Sequence, residues 1–150
     1  MKRGYKKSEE MLARALKTIP LGTQTFSKSR TQYPLGVSPF YAAKARGSKI
    51  WDVDGNRYID FVCALGSVSL GYNDPDVVSA VKKQLSLGTI FTLPCPLEVY
   101  VAEAMRDMIP CADMVRFGKN GSDATAGAVR VARAYTGRDY VAVCGYHGWQ

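Results

Sequence analysis

The stretch DMVRFGKNGSDATAGAVRVARAYTGRDYVAVC, residues 113–144, decides the reading of the chain. DMVRFG is a short apolar strand pattern, KNGS a turn containing Gly121, DATAGAVRVARAYTG a helix pattern closed by Gly137, and DYVAVC a second apolar strand pattern. Strand, turn, helix and strand within about 30 residues suit a parallel pair joined by a crossover helix. Apolar strands of this kind belong in a sheet covered on both faces. The expected class is α/β, with this βαβ unit as its recognisable piece.

Working back toward the N-terminus, YNDPDVVSAVKKQL predicts a helix with Asp74 at its N-cap and Pro75 in the first turn, where the missing N–H costs nothing, and Gly88 ends it. The proline-flanked loop FTLPCP leads into another helix from about Leu97 to Ile109, closed by Pro110. KIWDVDGNRYIDF places two alternating runs around Asp54-Gly55, a hairpin signal because glycine supplies a positive φ. Ser8 is placed to cap a first helix reaching about Thr18, with Met11, Leu12, Ala15, Leu16 and Ile19 at helical spacing before Pro20 and Gly22. Residues 22–40 read as irregular, and no repeat or low-complexity tract interrupts the chain.

Composition narrows the function classes. The 150 residues carry a net charge of +7, which raises nucleic-acid binding, but the charge is local. Residues 1–30 hold eight bases against two acids, and residues 31–150 hold twelve against eleven. A solvated, partly frayed N-terminus accounts for the excess, and no basic stripe with interleaved aromatics appears, so no nucleic-acid partner is expected. No window approaches the roughly 20 apolar residues of a membrane helix, and MKRGYKKSEE lacks the apolar region of a secretory signal. The expected location is the cytoplasm, without a membrane partner. Cys63, Cys95, Cys111 and Cys144 form no CxxC pair, and His147 is the single histidine, so no metal site is expected.

Two places can carry chemistry. At Gly121 and Ser122 the strand gives way to the helix, so free N–H groups and the positive end of the helix dipole face whatever occupies the turn. Ser122 as a plain N-cap, with Gly121 easing the turn, explains the same residues. The turn is neither GxGxxG nor GxxxxGK[ST], which weakens a dinucleotide or P-loop reading. Tyr146-His147-Gly148 lies past the next strand, at the carboxyl edge where open α/β sheets bind ligands. An aromatic ring there can stack on a planar cofactor, although a partly buried Tyr and His at a loop start fit as well.

Taken together and in this order, DVDGNRYIDF, LGYNDPDVVSAV, NGSDATAGAVRVARAYTGRD and GYHG resemble the N-terminal part of the class III aminotransferases, pyridoxal-phosphate (PLP) enzymes of fold type I. The resemblance runs from about residue 8 to residue 150 and is strongest to the glutamate-1-semialdehyde aminomutase branch. It implies an N-terminal segment over residues 1–70, with helix and β-hairpin, and the start of the large PLP-binding α/β domain over 71–150. It implies PLP as cofactor, with Gly121 and Ser122 on its 5′-phosphate, Tyr146 stacked on the pyridine face and His147 beside it. It implies a homodimer, a small-molecule amine or amino-acid substrate, and amino-group transfer, either between molecules or within one as an aminomutase.

Three departures qualify this picture. The family usually reads Ser-Gly-(Thr/Ser)-Glu-Ala where this chain has Asn120-Gly121-Ser122-Asp123-Ala124. The aminomutase branch places an arginine on the substrate carboxylate where this chain has Lys28, which lacks the planar bidentate fork. That branch also has Ser-Trp-Gly in place of Ala64-Leu65-Gly66, and the last two differences argue against glutamate-1-semialdehyde as the substrate. No lysine here matches the Schiff-base context, and the acid that pairs with the pyridine nitrogen also falls later in the family, so these 150 residues alone are expected to be inactive. The competing class is a non-catalytic α/β module that holds a phosphate or nucleotide at the same turn.

Overall fold

In the computed structural model, which describes residues 3–145, the chain forms two units, Met1–Thr89 and Ile90–Gln150. The first carries helix α1 (Lys6–Ala15), three single 3-10 turns at residues 20–22, 26–28 and 30–32, strands β1 (Ala42–Arg46), β2 (Lys49–Asp52) and β3 (Arg57–Ile59), and helix α2 (Pro75–Leu87). The strands make one antiparallel sheet in the order β1-β2-β3. Across β2 and β3, Ile50 faces Tyr58 and Trp51 faces Arg57, and the connecting turn contains Gly55 at φ +88°. The hairpin expected at Asp54-Gly55 is present. At the other end of the sheet Gly47 and Tyr72 exchange backbone hydrogen bonds of 2.8 and 2.9 Å. Gly71 makes this approach feasible, since its φ is +98° and a Cβ there would meet the Gly47 backbone at 3.3 Å.

Helix α2 begins as its sequence predicts: Asp74 Oδ1 accepts from the N–H groups of Asp76 and Val77, both at 3.1 Å, with Pro75 in the first turn. Helix α1 does not. Ser8 lies inside the helix, fully buried, and is not its cap. The first-turn N–H groups of Lys7 and Ser8 donate instead to Asp54 Oδ1 and Oδ2 at 2.7 and 2.9 Å. A carboxylate from the hairpin turn, 46 residues away from Ser8, thus satisfies donors that a local cap would otherwise serve, at the positive end of the helix. Asn56 Nδ2 donates to Gly4 O at 2.9 Å and the Arg3 guanidinium sits 4.5 Å from the Tyr58 ring centre, tying down the residues just before the helix.

Neighbouring groups desolvate Asp54, which opposes its ionisation, but the adjacent Ser8 hydroxyl and the two N–H groups outweigh this and hold its carboxyl below the usual value of 3.8. Ser8 Oγ lies beside the carboxylate without completing a well-formed hydrogen bond. A lowered native value means the anchor contributes in full above the ordinary carboxylate range and fades as pH falls through the native value. Asp54→Asn is expected to speed hydrogen exchange at the Lys7 and Ser8 amides about tenfold near neutral pH and to remove this acid dependence. Exchange unchanged at both amides would exclude the anchor.

The second unit contains helices α3 (Pro96–Met108) and α4 (Gly121–Thr136). Cys95 N donates to Glu98 Oε1 at 2.9 Å at the start of α3, and Gly137 closes α4 in the left-handed conformation at φ 64°, ψ 21°. The apolar segments 113–117 and 140–144, expected as a parallel strand pair, carry no ladder hydrogen bonds among the described residues. A strand exists only through a neighbour that takes its N–H and C=O groups, whereas a turn or a capped helix is set locally. Among the described residues no apolar side chain is buried, and the buried side chains are Ser8, Ser29 and Asp52. No helix among them is long and apolar enough to cross a membrane.

Candidate cofactor and substrate sites

The start of α4 is held by two side chains that act on each other. Asn120 is extended, at φ −146° and ψ 172°, and its Oδ1 accepts from Asp123 N at 3.0 Å. Asp123 Oδ2 accepts in return from Asn120 N at 3.2 Å and from Lys119 N at 3.0 Å. This is a reciprocal capping box, so the cap is Asn120, and Ser122 stands half-buried in the second position of the helix. The spacing Asn-x-x-Asp carried this signal in the sequence. Gly118 permits the carboxylate to swing back, because a Cβ there would come within 3.0 Å of Asp123 Cβ.

With Asp123 turned toward Lys119 and Asn120, the N–H of Gly121 donates to no partner among the described residues. Apart from its chain neighbours and the helix's own backbone, no atom of the described residues lies within 4 Å of the place a Gly121 Cβ would occupy. The turn therefore offers what a phosphate monoester requires: an N–H without an acceptor among the described residues at the positive end of a 16-residue helix, with no side chain on the residue that carries it. The residues present fit the phosphate of PLP. Tyr146 and His147 lie outside the described residues.

The first unit carries a cleft of about 820 Å³ lined by Lys28, Arg30, Tyr33, Phe40, Ala64 and Leu65 among others. Lys28, the position expected by resemblance for a substrate contact, is an exposed residue of the 3-10 turn at 26–28 and lines the cleft. Arg30, two residues on, lines the same cleft and was not singled out by sequence reasoning. Asp52 and Asp60 also reach the lining, but both are engaged. Asp52 accepts from Asn56 N, Asn56 Nδ2 and the Tyr58 hydroxyl, each at 2.8 Å.

Asp60 accepts from the Tyr72 hydroxyl at 2.6 Å and from Val62 N at 2.9 Å. The tyrosine bond, against desolvation and with help from the N–H groups of Val62, Cys63 and Ala64, holds the Asp60 carboxyl below the usual range. The same bond, with desolvation and the Asp60 charge, pushes Tyr72 up to about 12. Immediately after Asp60, Cys63, Ala64 and Leu65 all adopt left-handed backbone at φ 51°, 49° and 61°. Each such non-glycine residue costs roughly 1–2 kcal/mol, so three in succession require support from their surroundings.

The family profile described as Aminotransferase class-III matches residues 32–149. The chain belongs to the class III aminotransferases. Among relatives of this class III chain, a glutamate-1-semialdehyde 2,1-aminomutase of Desulforamulus reducens is 42% identical over 137 residues, covering 91% of the chain and 31% of the relative. An omega-transaminase from Sphaerobacter thermophilus superposes with a TM-score of 0.79 at 35% identity, over 87% of this chain and 29% of that one. The FumI protein of Sphingopyxis sp. MTA144, solved in its PLP internal aldimine form, superposes with a TM-score of 0.83 at 38% identity, over 89% and 32% of the two chains. The α/β class expected from residues 113–144 agrees with these neighbours. The class III chain described here spans about a third of the length of the curated relatives it matches.

Proposed function

We propose that the full-length protein is a PLP-dependent enzyme that transfers an amino group, as an aminotransferase or as an aminomutase acting within one molecule. The observation that carries this reading is the N-terminus of α4, where the Gly121 N–H has no acceptor among the described residues, in a chain of the class III family. Gly121 and Ser122 hold the cofactor phosphate there. Tyr146 stacks on the pyridine ring with His147 beside it, and residues 71–150 begin the PLP-binding domain while residues 1–70 form the N-terminal segment. PLP, when bound, supplies an electron sink that allows an amino group to leave one carbon and be delivered to another.

The remaining residues bind and orient. Lys28, with Arg30 in the same cleft, supplies positive charge for an anionic group on a small amine or amino-acid substrate. Leu65 and Ala64 present apolar surface to that substrate. The Schiff-base lysine and the acid that pairs with the pyridine nitrogen come from outside these 150 residues, so this stretch alone is expected to show no turnover. The protein works as a cytoplasmic homodimer, with neither nucleic acid nor membrane as partner. The relatives named above support both variants of the reaction: one is an aminomutase and one an omega-transaminase.

The test is the visible absorption spectrum of the full-length protein before and after borohydride. A band that borohydride abolishes is the expected result. A colourless protein that still binds inorganic phosphate or a nucleotide would overturn the reading in favour of a binding module.

A further inference from the structure

We propose that Asp60 is a positioning residue of the substrate cleft, holding the left-handed segment Cys63–Leu65 in place as part of the cleft wall. The inference rests on the reading of that cleft as a substrate site. Three observations combine. Ala64 and Leu65 line the cleft, and they belong to a run of three left-handed residues that contains no glycine, asparagine or aspartate to make the conformation easy. Such a run persists only where its surroundings over-determine it.

The determinants are on either side of the run. Asp60 Oδ1 takes the N–H of Val62 at 2.9 Å, and Asp60 Oδ2 takes the Tyr72 hydroxyl at 2.6 Å. Tyr72 is itself fixed, because its backbone exchanges hydrogen bonds with Gly47 beside the end of β1. The carboxylate thus ties the entrance of the turn to the sheet. On the exit side Gly66 N and Val68 N both donate to Cys63 O at 3.0 Å, and Ser67 Oγ donates to Ala64 O at 2.8 Å. The exit bonds are local and would follow the turn wherever it moved, whereas the Asp60–Tyr72 bond spans 12 residues and sets where the turn stands. Charge is what makes that bond strong, since a carboxylate accepts from a phenol and an amide more firmly than a neutral oxygen does.

Cys63 lies within the turn and is half-buried, while Cys111 is exposed, so the chain contains its own probe and reference. Peptide-resolved alkylation of the full-length protein by iodoacetamide reads both. Asp60→Ala is expected to speed labelling of Cys63 about tenfold relative to Cys111, with Asp60→Asn, which keeps one acceptor oxygen, between it and the unsubstituted protein. Tyr72→Phe is expected to produce a smaller selective increase. An unchanged Cys63 rate, or Cys63 and Cys111 accelerating together, overturns the proposal.

A second arm reads the cleft through single-turnover reaction of the PLP-loaded protein with amines of increasing bulk, from β-alanine to 1-phenylethylamine. Asp60→Ala is expected to raise the half-saturating amine concentration about tenfold while the limiting rate stays within about threefold. A fall in limiting rate at unchanged half-saturation overturns the positioning role. If the unsubstituted protein reacts with none of the amines, the borohydride-sensitive band still decides the proposed function, and the Cys63 labelling decides whether Asp60 holds the turn.

Discussion

Gly121→Asp is expected to weaken PLP binding by about 100-fold or more, roughly 3 kcal/mol, while leaving helix α4 as stable as before or more so. The two halves of this expectation have different causes. Gly121 is the first residue of α4, without a left-handed φ, and an added Cβ meets nothing within 4 Å among the described residues beyond its neighbours and the helix's own backbone. A helical glycine replaced by aspartate gains propensity, and an acid in the first turn complements the helix dipole, together worth about 0.5–1 kcal/mol. The same carboxylate would stand where the phosphate must sit and would repel it. It would also compete for the Gly121 N–H that the anion needs.

Gly121→Asn separates bulk from charge, because it is nearly isosteric and neutral. Its expected loss is about tenfold or less. Titrating the cofactor-free proteins with PLP, alongside thermal unfolding, checks both halves. Equal, small losses in the two variants would remove the α4 N-terminus as the phosphate seat, and a large drop in thermal stability would show that the variant failed for structural reasons.

Where local chemistry punctuates the chain, the sequence was a sound guide. Asp74-Pro75 opens α2, Gly88 follows its end and Gly137 closes α4 as read, because caps and breakers act over one turn. Five features escaped, each for its own reason. The cap of α1 comes from Asp54, which is remote in sequence, and Ser8 met the local criterion without serving it. At α4 both Asn120 and Ser122 are competent caps two positions apart, and the decision rests on Asp123 reaching back to Asn120 N. The left-handed run at Cys63–Leu65 is written in no residue type that favours it; it is imposed by Asp60 and Tyr72. The strand patterns at 113–117 and 140–144 carried the α/β class, yet their pairing depends on neighbours that no local pattern encodes. Arg30 joins Lys28 at the cleft only through the path of the 3-10 turns, which periodicity does not describe.

The largest expected loss of stability in the first unit follows from Asp52→Ala. Asp52 is 3% exposed, and with no buried apolar side chain among the described residues its hydrogen bonds are what hold the β2-β3 turn. Truncation removes the acceptor of the Asn56 N–H and leaves the Tyr58 hydroxyl with Tyr5 as its remaining neighbour, whereas Asn56 Nδ2 keeps its bond to Gly4 O. Three lost hydrogen bonds at about 1 kcal/mol each place the expected loss near 3 kcal/mol. Asp52→Asn, which preserves one acceptor, is expected to lose about 1 kcal/mol, and Tyr58→Phe about the same. Because the alanine and phenylalanine changes remove the same bond, the double variant is expected to be less destabilised than the two single losses combined, a coupling that a double-mutant cycle in urea unfolding measures. Desolvation and then the bond to Asp52 push the Tyr58 phenol above its usual value of 10.0. A raised native value stabilises the fold fully below the unfolded value and loses that contribution as pH rises past it. The unsubstituted protein is therefore expected to lose stability above about pH 10 more steeply than Tyr58→Phe, and parallel alkaline profiles would mean that the phenol titrates alike in the folded and unfolded chain.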